Sequence, residues 1–144
     1  MSKATQRTLK ALRDAKYECD VVEKWKPCGP LCPTCHKPKF GKRHDAFNFC
    51  DILALRPDVG IVAIQSTVGG HHSDHMTDLL SNPLCKLWLL AGGRIVLMSW
   101  SKRKVVKKDG KLGKGERWMP RWIELTLDQF PTGLPTRKGG DAIE

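Results

Sequence analysis

An acid set inside an apolar strand is the feature that most constrains this chain. Phe47–Leu55 is largely apolar but carries Asp51, and Ile61–Thr67 is apolar until Gln65. Between them, Arg56-Pro57-Asp58-Val59-Gly60 has the Pro and Gly of a tight turn. The two runs therefore predict an antiparallel β-hairpin. Gln65 and Thr67 are two residues apart and project from one strand face. A register that brings Asp51 to that face gathers a carboxylate, an amide and a hydroxyl. A buried acid is costly unless it is paired, hydrogen-bonded or bound to a metal. The cluster thus predicts a divalent-cation site.

The flanking pattern supplies the rest of an α/β domain. Residues 3–15 have the spacing of an amphipathic helix, with Leu9 and Leu12 on its apolar face. Tyr17–Trp25 predicts a first strand. His71–Leu80 predicts a helix, and Asn82-Pro83 opens a second helical stretch to Leu90, closed by Ala91-Gly92-Gly93. Arg94–Trp100 and Arg117–Leu125 predict the last two strands, joined by a Lys- and Gly-rich connection over 101–116. The order is α-β-β-β-α-β-β, a mixed sheet flanked by helices. At 144 residues, one domain over 1–130 is expected, with a flexible polar tail over 131–144.

Lys26–Arg43 differs in character. It holds four Pro, two Gly and three Cys, which predicts an ordered loop and not a regular element. Cys28, Cys32, Cys35 and His36 have the spacing of a structural zinc knuckle. The fourth ligand stays open, with His44 and Cys19 competing with His36. Cys50 and Cys85 lie in apolar surroundings and are expected in the core.

Lys and Arg number 25 against 15 Asp and Glu, a formal net charge of +10. That excess favours a phosphate backbone as partner. Lys102, Arg103, Lys104, Lys107 and Lys108, flanked by Trp100, Trp118 and Trp122, form a candidate DNA-binding flap. Arg43 is a further candidate contact. His71 and His75 stand at i and i+4 and are candidates for the site or for a phosphate. No run of about 20 apolar residues occurs, so no membrane span is expected. The N-terminus has no apolar stretch behind its charges, which predicts a cytoplasmic, reducing setting with the cysteines as thiols or metal ligands.

The ordered set of motifs resembles the PD-(D/E)XK nuclease superfamily, over roughly residues 5–125. It is similar in particular to small phage and prophage proteins of Holliday-junction-resolvase type. The matching residues are Asp45, Phe47, Phe49 and Asp51; Ile64, Gln65 and Thr67; Leu89–Ile95; and Trp100-Ser101-Lys102-Arg103. The resemblance implies a restriction-endonuclease-like α-β-β-β-α-β core with the cysteine segment (26–44) as an insertion. It implies a Mg²⁺- or Mn²⁺-dependent DNA endonuclease in a bacterial host cell, and a homodimer as the oligomer. Asp51 becomes the first metal ligand. Gln65 stands where the family has an acid and Thr67 where it has a lysine. Gln can coordinate Mg²⁺ but brings no charge, and Thr supplies no cation. Glu23 and Asp45 are the candidates for the missing carboxylate, and Lys24 and Lys42 for the missing cation. Two rival functions remain. One is a catalytically inactive nuclease fold that binds DNA. The other is an interaction protein built around the zinc knuckle.

Overall fold

In the computed structural model, residues 1–131 are described; the tail expected from 131 on falls almost wholly outside them. Helix α1 (Lys3–Asp14) begins at Ser2, whose hydroxyl accepts from the Thr5 N–H. Ala4, Leu9 and Leu12 are buried on its inner face. Strand β1 is short (Glu18–Val21). Then come β2 (Lys24–Leu31) and β3 (Pro38–His44), β4 (Ile52–Arg56) and β5 (Gly60–Val68). Helices α2 (His72–Ser81) and α3 (Pro83–Leu90) precede β6 (Arg94–Val106) and β7 (Leu112–Leu125). No helix among the described residues is long and apolar enough to cross a membrane.

The main sheet runs β1-β4-β5-β6-β7. All neighbours are antiparallel except β5 and β6, which are parallel and joined through α2 and α3. The architecture is therefore α/β, a mixed sheet with helices on both faces. Strand β5 shows how the faces divide. Val62 and Ile64 pack with Leu9, Leu12, Val96, Met98 and Trp100 on the α1 side. Ala63 packs with Leu79, Cys85, Ile95 and Leu97 on the α2–α3 side.

The α1 face also carries a buried polar relay. The Trp100 indole N–H donates to Thr8 Oγ1 at 2.8 Å, and Thr8 Oγ1 lies 2.8 Å from Ser66 Oγ. This chain of bonds leaves each hydroxyl and the indole satisfied and fixes α1 over β5 and β6.

Four expected boundaries shift. The strand expected over Tyr17–Trp25 splits, because Val22 and Glu23 form a joint between β1 and β2. Lys26–Arg43, expected as a loop, is mostly a β-ribbon in a sheet of its own. Its prolines are tolerated because a two-stranded ribbon has outer edges that need no N–H donors. The strand expected from Phe47 begins only at Ile52. Phe47 and Asn48 adopt left-handed φ of 54° and 64°, and the chain turns back through an Ala46–Cys50 bridge. Finally, most of 101–116 is strand, because β6 and β7 continue as a long antiparallel arm.

Candidate functional site

Asp51 stands where the turn over residues 45–50 enters β4. Its own N–H donates to Ile64 O at 3.0 Å, and its carbonyl accepts from the Val22 N–H at 2.9 Å. Those bonds fix the backbone between β1 and β5. The side chain, only 6% exposed, points across β5. Its Oδ2 accepts from Gln65 Nε2 and from the Ser66 backbone N–H, each at 2.9 Å. The acid and the amide singled out in the sequence are therefore in direct contact.

Burial is the main force on this carboxyl, and it drives the pKa up to about 8. The Ser66 N–H opposes that rise in part. Asp45 adds to it, by sharing a hydrogen bond with Asp51 and through its charge, and Glu23 adds charge from the β1–β2 joint. Near neutral pH the Asp51 carboxyl is thus held mainly in its protonated form. Gln65, with its N–H on Asp51, keeps Oε1 for another partner.

A cavity of about 130 Å³ opens beside this pair, lined by Asp45, Asn48, Phe49, Gln65, His75, Asp78 and Leu79. His75 therefore reaches the site. His71 does not share its position: it lies in the single 3-10 turn before α2, exposed, 3.8 Å from Asp74. Sequence spacing had treated the two as one face, but the helix starts one residue later. Glu23 borders an adjoining cleft with Val21, Trp25 and Arg43, and Arg43 lies 3.8 Å from it. Lys24 and Lys42 are exposed on the β2–β3 ribbon. Arg43 is the cation brought to the Glu23 carboxylate.

Thr67 is buried two residues beyond Gln65, opposite Ser99 of β6. His72, which sequence spacing passed over for its two neighbours, places Nδ1 2.8 Å from Ser99 Oγ. Only the pairing of β5 with β6 reveals that contact, and no local signal announces it.

The basic arm separates by face. Arg103 pairs with Arg117, and Ser99 with Arg121, in positions that alternate with Lys102 and Lys104. Lys102 lies on the opposite side, 5.8 Å from the Trp118 ring, which Arg7 also covers at 4.0 Å. Lys107 and Lys108 are exposed near the far end of the arm. Of the three tryptophans expected beside the flap, Trp100 is core and Trp122 is 40% exposed.

At the tip of the β2–β3 ribbon, Cys32 N–H donates to Lys37 O and His36 N–H to Cys32 O, each at 2.9 Å. His36 holds a left-handed φ of 54°. The Cys32 thiol is pulled below its ordinary pKa by the backbone N–H groups of Cys35 and Thr34 and by the Cys35 side chain. Cys28 precedes a bulge in the ribbon. The two competing ligands stand elsewhere. His44 pairs with Lys24 at the other end of β3, about 13 Å along the strand from Phe40, the partner of Cys28. Cys19 packs its sulfur 4.0 Å from Leu9 O. Cys50 and Cys85 are core residues whose thiols burial pushes up to about 12. Among the described residues no three His, Cys, Asp or Glu side chains converge to hold a metal as they stand. The convergent donors are the Asp51–Asp45 and Cys32–Cys35 pairs.

The raised Asp51 pKa has a signed consequence for stability. Between its ordinary value of 3.8 and about 8, the folded chain keeps a proton that the unfolded chain releases. Metal-free protein should therefore lose stability as pH rises through that window. Thermal melts in EDTA from pH 4 to 9 should show a falling Tm, with a flatter profile for Asp51→Asn. Parallel profiles for the two proteins would refute the assignment. Comparison with family models, curated proteins and solved structures returns no match to this chain.

Proposed function

We propose that this protein is a metal-dependent DNA endonuclease that hydrolyses phosphodiester bonds. The observation that carries the reading is the buried Asp51 carboxyl, held protonated beside Asp45 at the edge of a polar cavity on a strongly basic chain. A site that raises a carboxyl pKa by burial and by a second acid is poised to trade its proton for a cation. Asp51, Asp45 and Gln65 Oε1 are all oxygen donors, the type Mg²⁺ and Mn²⁺ prefer, and Mg²⁺ needs only one or two carboxylates besides water. Glu23 adds negative charge from the next joint.

Bound Mg²⁺ or Mn²⁺ would lower the pKa of a coordinated water and offset charge building on the phosphate. The chain's own groups do the remainder. The Ser66 N–H and Gln65 amide orient the Asp51 carboxylate. His75, on the cavity wall, is placed to exchange a proton with a leaving or attacking oxygen. Thr67 supplies no charge at the position where the family resemblance implies a lysine.

The rival reading, a DNA-binding protein without catalysis, draws on the same Gln65 contact. With its amide donated to Asp51, the site is satisfied internally without a cation. Incubation of linear, single-stranded, flapped and four-way DNA with Mg²⁺, Mn²⁺ or EDTA separates the two. The endonuclease reading expects metal-dependent cutting that Asp51→Asn lowers by more than the roughly 10–100-fold typical when a metal site loses a supporting partner. Salt-sensitive binding without cutting by the unaltered protein would establish the rival.

The same reading gives the ribbon tip a structural Zn²⁺, held by Cys28, Cys32 and Cys35 with His36 as the neighbouring fourth donor. The ribbon forms its own two-stranded sheet, every β2 residue is exposed, and such a ribbon is marginal in water without a staple. The backbone N–H groups that lower the Cys32 pKa favour the thiolate a metal needs. Elemental analysis should find about one zinc per chain, lost in Cys32→Ser. A chain that takes up no zinc when titrated under reducing conditions would overturn this assignment.

A further inference from the structure

The two faces of the β6–β7 arm differ in how their charges are balanced. On the face away from the carboxylate site, Lys104 stands in register with the opposite charge of Glu116, though not within 4.0 Å of it, and Lys102 lies over the Trp118 ring. On the site's own face, Arg103 stands directly opposite Arg117, and Arg121 follows two pairs inward, opposite Ser99. Among the described residues, no carboxylate lies within 4.0 Å of any of these three arginines. Like charges directly opposed across strands are destabilising. All three are exposed, so their charge is open to a partner from outside.

The inner end of this row joins the candidate site. Thr67, Ser99 and Arg121 are matched residues on three adjacent strands. They stand on the face of Gln65, one step of about 6.7 Å further along β5. His72 closes the row from the first position of α2, with Nδ1 on Ser99 Oγ at 2.8 Å. Its ring is half-buried, and burial together with the Arg121 charge lowers its pKa. A half-buried imidazole at the end of a row that carries an exposed guanidinium suits an anionic oxygen there.

We propose that Arg103, Arg117 and Arg121, with His72 held by the buried Ser99 at the inner end, form a track for the DNA phosphate backbone. The track runs outward along one face of the arm from the sheet edge that carries Gln65 and Thr67. It deepens the DNA reading above and rests on that reading for its partner, but not on catalysis. The lysines of the opposite face lie outside it. The track thus replaces the diffuse basic flap with a one-sided surface in which arginines, not lysines, make the contacts.

The test is duplex DNA binding in EDTA, so that no strand is cut, measured over a series of salt concentrations. Two variants remove the same charge from opposite faces: Arg117→Ala/Arg121→Ala and Lys102→Ala/Lys104→Ala. The track predicts that the arginine variant lowers the log Kobs–log salt slope by about 2, one per lost phosphate contact, while the lysine variant leaves it nearly unchanged. In the unaltered protein, the His72 ring resonances should shift on adding DNA. Equal slope losses for both variants would overturn the track and leave only a generally basic surface, as would DNA binding with unmoved His72 resonances. A protein that binds no DNA would overturn the track and the DNA reading together. Binding without cutting under Mg²⁺ would remove catalysis alone.

Discussion

The Asp51 carboxyl is the point at which the structure's two requirements meet. It is buried between β4 and β5 and takes one bond from the β5 backbone and one from the Gln65 side chain. Replacing the carboxyl with a residue unable to accept would strand the Ser66 N–H and the Gln65 amide, at a cost of about 1–3 kcal/mol per unsatisfied group. The same burial, with Asp45 beside it, raises its pKa. Structural anchoring and a raised carboxyl pKa are thus two consequences of one placement.

Strand β5 distributes the chemistry. Its Ser66 side joins Thr8 and Trp100 in a closed relay that locks α1. Its Gln65 and Thr67 side faces the cavity and the Ser99–His72 contact. The parallel pairing with β6 sets Thr67 against Ser99, so the polar rows of both strands come to one edge. Ligand sites in α/β sheets commonly lie at the carboxyl ends of parallel strands, and this cluster occupies that place. The β6–β7 arm extends from the same edge and carries arginines on the same face.

Much of this was legible in the sequence because it follows from period and punctuation. The short apolar run Ile61–Ile64, the turn at Pro57 and Gly60, and the cap at Asn82-Pro83 point to the hairpin and α3 locally. The Asp51–Gln65 proximity was conditional on a hairpin register, which the pairing of Ile52 with Ile64 supplies. What stayed hidden depends on pairings between distant segments or on unusual backbone. Nothing local tells that Ser99 meets His72, or that Arg121 joins Ser99. The left-handed φ at Phe47 and Asn48 is rare for an aromatic residue, so the alternating aromatics there imitate a strand. The Pro-rich ribbon was missed for the converse reason: proline argues against strands in general, and a free two-stranded ribbon is the exception.

The central claim is that Asp51 holds a proton which a divalent cation displaces. Calorimetric titration of the protein with Mn²⁺ at pH 7, in buffers of different ionisation enthalpy, counts the protons released on binding. The account predicts release of about one proton per cation, abolished together with tight binding in Asp51→Asn. Binding with no proton release, or release undiminished in Asp51→Asn, would contradict it.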